Sequence, residues 1–221
     1  MDPTGLIVRN VERTVNQQDS IDNVLLGNGG EEKNERIIDF GCVLTAFVRI
    51  ARELSGKEFT LEEANYLAVN QKIYENGNEL SPRAGVRLVN ALVNNPKKTL
   101  LFTESIEGNG SELGSKLNEL DNSLLQYFTS GRINTTDSTG TKKYDHQVNI
   151  NSNSLSAGDI SDMDNPFTFK LADTSTVDRQ STNDTSRSNK LFRVDIFRVE
   201  DTSWKQYAGE NYNENVETNN E

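Results

Sequence analysis

The chain has one cysteine, one histidine, one tryptophan and four prolines in 221 residues, and each scarcity closes a route. A single cysteine cannot build an intrachain disulfide framework, which fits a reducing compartment. Basic residues are also few: 23 Lys+Arg stand against 34 Asp+Glu, a net charge of -11, with no basic patch to offset it. Such a surface repels phosphate backbones and anionic lipid, so neither nucleic acid nor a membrane is expected as a partner. No apolar run nears the roughly 18 residues of a membrane span, and the start Met1-Asp2-Pro3-Thr4-Gly5 lacks the basic and apolar regions of a signal peptide. A cytoplasmic protein is the expectation. Asp159, Asp162 and Asp164 cluster without the glycine and closing glutamate of a calcium loop, so they read as a solvated acidic loop and no metal is expected. Gly108-Asn109-Gly110 precedes a helix without the Gly-Lys-Ser/Thr of a phosphate loop; it reads as a turn, and no cofactor is expected.

The most apolar stretch present runs from Asp39 to Gly56. Val43, Phe47, Ile50 and Leu54 fall on one helical stripe, with Leu44, Val48 and Ala51 on the next, so the helix must be buried on most sides. Only a strip around Arg49, Arg52 and Glu53 is expected to face water. Gly56 supplies a stop, and Cys42 falls at the helix start. Thr60 and Glu63 form a capping box that opens a second helix, expected from Leu61 to about Glu75 and closed by Gly77. Ser81-Pro82 opens a third, which carries Val86, Leu88, Val89, Leu92 and Val93 to a stop at Asn95-Pro96. A short strand is expected over 99–103. Leu113, Leu117, Leu120 and Leu124 predict a fourth helix from Ser111 to Tyr127, ending at Gly131.

Beyond Gly131 the period changes from 3.6 to 2, the mark of an α+β domain in which helices come first and a small antiparallel sheet follows. Three strands read out. Tyr144, His146, Val148 and Ile150 share one face of the first; Phe167, Phe169, Leu171 and Asp173 share one face of the second. In the third, 191–199, Phe192, Val194 and Ile196 alternate before Phe197 and Val199 take the other phase, which predicts a bulge. The polar segments between these strands read as exposed loops. The expected organisation is a polar N-terminal arm over 1–34, one α+β domain over 35–204 and an acidic disordered tail over 205–221.

The chemistry-bearing residues form one constellation: Cys42 at a helix start, His146 on a strand facing it and Asp173 on the neighbouring strand. A thiol at the positive end of a helix dipole is favoured as thiolate, an imidazole can take its proton, and a carboxylate can orient the imidazole. Each residue also has a plainer reading. A lone cysteine among Val, Leu and Phe packs as a small apolar group, a strand histidine serves as a satisfied core residue, and Asp173 before Thr174-Ser175 starts a turn.

Gly41-Cys42 at a buried helix start, the strand of His146 and the strand ending Leu171-Ala172-Asp173-Thr174-Ser175 together resemble papain-like cysteine peptidases of the bacteriocin-leader-processing type. The resemblance covers about residues 37–199 and implies a papain-like fold. It also implies a thiol hydrolase acting on a peptide or protein substrate, with Cys42 as nucleophile, His146 as base and Asp173 as orienter. The chain departs from that pattern at Arg36, which stands where the family has the glutamine that completes its oxyanion hole. An inactive relative serving as a binding or structural module is the alternative.

Overall fold

The computed structural model describes residues 15, 17–21, 23–28, 35–108, 110–121, 126–136, 142–150, 168–169, 177–178 and 188–203. A single turn, α1 (Ile37–Phe40), leads through Gly41 into the long helix α2 (Cys42–Ser55), which stops where Gly56 adopts a left-handed φ of 72°. The next helix, α3 (Leu61–Asn70), opens on the expected capping box: the Glu63 N–H donates to Thr60 Oγ1 and the Thr60 N–H to Glu63 Oε2. Ser81 caps α4 (Pro82–Val93), which ends at Asn94 with φ 45°. After strand β1 (Lys98–Glu107) comes α5 (Gly110–Asp121).

Two of these helices are shorter than their sequence periods suggest. α3 stops at Asn70 rather than near Glu75, because the chain turns at Lys72 to bury Ile73 in the core. It then makes a tight antiparallel bridge from Glu75 to Glu79 across Gly77. α5 stops at Asp121 rather than Tyr127: Leu113, Leu117 and Leu120 fill one buried stripe, whereas Tyr127 to Ser130 are buried in succession in a strand covered on both faces. Leu124 lies outside the described residues. Gly131 therefore ends no helix; it sits within β2 (Gln126–Thr136).

The remaining strands are β3 (Lys142–Ile150), the short β4 (Thr168–Phe169) and β5 (Val177–Asp178), and β6 (Ser188–Asp201). Among the described residues, a four-stranded antiparallel sheet has the order β1-β6-β2-β3, and β4 pairs with β5 in a separate ladder. The chain is thus mixed α+β, helices first and sheet after, with β1 contributed from within the helical half. The β1–β6 ladder does shift register at Ile196 and Phe197, but the extra residue there is Thr103 of β1. β6 carries its irregularity at Phe192, skipped between the Arg132–Arg193 and Ile133–Leu191 pairs. Both phases of β6 are apolar because both are buried: Phe197 and Val199 join the core under α2 and α4, and Val194 and Ile196 face the other way, where α5 packs on β6.

α2 is enclosed on nearly every side. The Phe47 ring meets Phe197 edge-on at a centroid distance of 5.5 Å, and on its other side it lies where a side chain at Gly85 of α4 would be. The arginines expected to face water do not. Arg49 is only 1% exposed and donates from Nε to the Val15 carbonyl (2.8 Å); Arg52 donates from Nε (2.9 Å) and Nη2 (2.5 Å) to the Phe59 carbonyl and pairs with Glu58. A buried guanidinium needs such partners, since an unpaired buried charge costs several kcal/mol. The described part of the first 34 residues supplies one of them, the Val15 carbonyl, and is itself part of the core: Val15 and Leu26 are buried, Asn65 of α3 bonds to both Leu25 and Gly27, and Glu62 accepts from Ser20 Oγ (2.7 Å) and the Ile21 N–H (2.8 Å).

Two predictions follow from this packing. A Cβ built on Gly85 lies 2.0 Å from Phe47 ring atoms, so Gly85→Ala is expected to lower stability by about 3 kcal/mol through overpacking. Adding Phe47→Leu should recover part of that loss, giving a non-additive cycle in urea denaturation. The second concerns Glu62, whose partial burial works to raise its pKa but is outweighed by hydrogen bonds from Ser20 and Ile21, with its own N–H and Thr60 assisting, so that its carboxyl is held below its ordinary 4.5. A depressed carboxylate stabilises above its unfolded pKa, and that contribution disappears as pH falls through the folded value. The stability advantage of wild type over Glu62→Gln should be full at neutral pH and shrink below pH 4.5, read as urea midpoints of the two proteins.

Candidate ligand-binding cleft

Strand register writes the sheet's α2-facing surface in rows. Phe102, Phe197 and Phe128 align across β1, β6 and β2; Ser105, Asp195, Ser130 and Asn149 form the next row across all four strands; Glu107, Arg193, Arg132 and Gln147 form the third. Along the strands, this face passes from an aromatic row, through a polar row with one carboxylate, to a row that carries Glu107, Arg193 and Arg132. The aromatic row packs under Phe47, and the charged row emerges into a cleft of about 630 Å³.

The middle row is a polar layer, buried at Asp195, Ser130 and Asn149 and exposed at Ser105. Asp195, 4% exposed, accepts from Ser105 Oγ (2.5 Å) and Arg193 Nε (2.8 Å), and Arg193 Nη2 donates to Ser105 Oγ (2.9 Å). Gln147 Nε2 donates to Ser130 Oγ, which donates to the Val148 carbonyl, while Gln147 Oε1 accepts from Arg132 Nε at 3.2 Å. Asn149 Nδ2 donates to the Ala46 carbonyl at 3.2 Å, fastening β3 to α2; its Oδ1 has no hydrogen-bond partner among the described residues.

The cleft walls come from the starts of two helices and from the turn between α3 and α4. Phe40, Val43 and Leu44 stand at the α1–α2 junction, Leu80, Ser81 and Pro82 at the start of α4, and Glu75, Asn78 and Glu79 in the turn; Leu26 and Glu35 complete the rim. Arg132 and Arg193 are the cations of the lining, and Glu35, Glu75 and Glu79 the anions. Arg193 is engaged by Asp195 and Ser105 and has Glu107 at 3.8 Å. Arg132 differs. Among the described residues it makes no ion pair and donates from Nε to Gln147, and it lines the cleft.

Of the residues singled out by sequence, Cys42 is the first residue of α2 and half-buried. Its neighbours Phe40, Val43 and Leu44 line the cleft, and Cys42 does not. The preceding turn already uses the Gly41 N–H, which donates to the Ile37 carbonyl at 2.7 Å. Arg36 is committed to Asp39 at 2.7 Å. Position 146 stands opposite Ile133 in the register, in step with Val148 and Ile150, whereas the β3 positions in step with the α2 contact are Gln147 and Asn149. Asp173 lies outside the described residues, as do Asp159, Asp162 and Asp164. The described piece of the strand expected to carry Asp173, Thr168–Phe169, pairs with Val177–Asp178, and β3 pairs with β2. Among the described residues, no group of three His, Cys, Asp or Glu side chains is arranged to hold a metal ion, and no helix is long and apolar enough to cross a membrane.

Sequence reasoning passed over Arg132, Arg193, Ser130 and Asp195. A signal for them was present: Arg193 and Asp195 share strand phase with Phe197 and Val199, so a face buried at one end is charged at the other. No protein-family model, curated protein or solved structure matches this chain.

Removing the carboxylate of the polar layer tests whether the layer holds the cleft floor. Asp195→Ala removes the acceptor of Arg193 Nε and of the Ser105 hydroxyl, and the expected loss is about 3 kcal/mol. Ser105→Ala should cost about 1 kcal/mol. Chemical denaturation of both variants measures the difference.

Proposed function

We propose that this chain is a binding module that holds a peptide segment of a partner protein in the cleft between the starts of α2 and α4 and the Arg132–Arg193 end of the sheet. One observation carries the reading: the residues on either side of Cys42 line the cleft and the thiol does not, so a ligand seated there meets Val43 and Leu44 rather than a nucleophile. The volume suits a short peptide, and the lining combines apolar walls with a few placed charges, the composition of pre-formed ligand sites.

The second reading is a thiol hydrolase of papain-like layout, with Cys42 as nucleophile, His146 as base, Asp173 as orienter and a peptide or protein as substrate. Its support is the direct packing of α2 on β3, the strand of His146, through the Ala46–Asn149 contact, together with the place of Cys42 at a helix start.

One experiment separates the readings. Capture of short random peptides by immobilised full-length protein should be lost in Asn78→Trp, which plugs the cleft from its wall, and unchanged in Cys42→Ala. Incubation of the same peptides with wild type and Cys42→Ala should give equal, background cleavage. Cleavage by wild type that vanishes in Cys42→Ala would replace the binding reading with the hydrolase.

A further inference from the structure

Building on the cleft reading, we propose that Arg132 is a carboxylate clamp and that the cleft takes the C-terminal end of a peptide. The terminal carboxylate would sit on Arg132, the last side chain against the apolar wall, and a basic side chain further back toward the acidic rim. The clamp is assembled by the sheet. Gln147 accepts from Nε and is itself held by Ser130, so the guanidinium is anchored at Nε, and in this proposal its two terminal amino groups take the ligand. That edge matches a carboxylate bidentately, the geometry in which arginine binds most strongly and lysine cannot follow.

The charges of the lining decide which anion enters. Three carboxylates, Glu35, Glu75 and Glu79, share the cleft with two guanidiniums; Asp195 and Ser105 already occupy Arg193, while Arg87 stands 3.8 Å from Glu75 and Asn76 donates to Glu79. A doubly charged phosphate would meet more repulsion than attraction. A singly charged carboxylate needs only Arg132, and a ligand that also carries a cation gains from the glutamates. Val43, Leu44, Leu80 and Pro82 offer the apolar surface for the last side chain. A free amino acid would leave most of a cleft of about 630 Å³ unfilled, and a peptide end fills it.

The test uses two pools of short random peptides, identical except that one ends in a carboxylate and the other in an amide, captured on the immobilised full chain and read by mass spectrometry. Wild type should retain the acid pool about tenfold or more over the amide pool. Retained acids should be enriched in Leu, Ile, Val or Phe at the last position and in Lys or Arg upstream. Arg132→Gln should abolish the acid preference, and Arg132→Lys should keep part of it, with melting temperatures reported for each. Should Arg132→Gln lose its fold, the wild-type acid-to-amide ratio and Arg132→Lys still decide. Equal capture of both pools, lost in Asn78→Trp, would overturn the clamp and leave the cleft reading standing. Capture of neither pool by wild type would overturn both. An acid preference that survives in folded Arg132→Gln would move the carboxylate elsewhere and overturn the clamp alone.

Discussion

A helix without a water-facing side dictates much of this structure. Ten of the residues of α2 are buried, and among them are two arginines and a threonine. Their polar atoms need partners that water would otherwise provide, and backbone carbonyls supply them: Val15 for Arg49, Phe59 for Arg52 and Gly41 for Thr45. The segment before α1 and the loop after α2 are held in place by this requirement as much as by their own apolar contacts. Both run across the helix at points where a guanidinium has to be met. The outcome is a helix held through Arg49 and Arg52 by the chain on either side of it.

The sheet turns that fixed helix into a site. Antiparallel register aligns like with like across β1, β6, β2 and β3, so one face is laid down as an aromatic row, a neutral polar row around one carboxylate and a charged row. Stability rests on the first row, where Phe47 and Phe197 meet edge-on and Gly85 makes room for the ring. The second row is costly to bury and is almost fully hydrogen-bonded, with Asn149 Oδ1 as the atom left over. Its return is orientation: Asp195 and Ser105 fix Arg193, while Ser130 acts through Gln147 on Arg132. A guanidinium held in this way loses little freedom on meeting an anion, which makes the third row suited to recognition.

Local signals in the sequence were read well where a short-range rule governs. The Thr60–Glu63 box, the Ser81-Pro82 start and the Gly56 stop each depend on neighbouring residues, and each is where sequence puts it. The misread boundaries all involve long-range burial. Leu113 to Leu120 continue in helical period toward Tyr127, but a two-sided sheet demands Tyr127 to Ser130 as strand, and nothing local announces it. Arg49 and Arg52 looked like a solvent strip because charge usually means water; the carbonyls that receive them are 34 and 7 residues away. The charged row was hidden for a related reason. Arg132 and Arg193 are far apart in sequence and become neighbours only through β2–β6 register.

The separation of thiol and cleft follows from helix geometry. Successive residues on an α-helix are turned by about 100°, so Val43 and Leu44 of α2 are turned about 100° and 200° from Cys42; they line the cleft with Phe40, the last residue of α1, and Cys42 does not. Phase on β3 acts in the same sense, because the positions in step with α2 are Gln147 and Asn149, and 146 belongs to the alternate set. Helix twist and strand alternation thus set the cleft lining apart from Cys42 and from position 146, and the proposed capture of an anion rests on the guanidinium row alone.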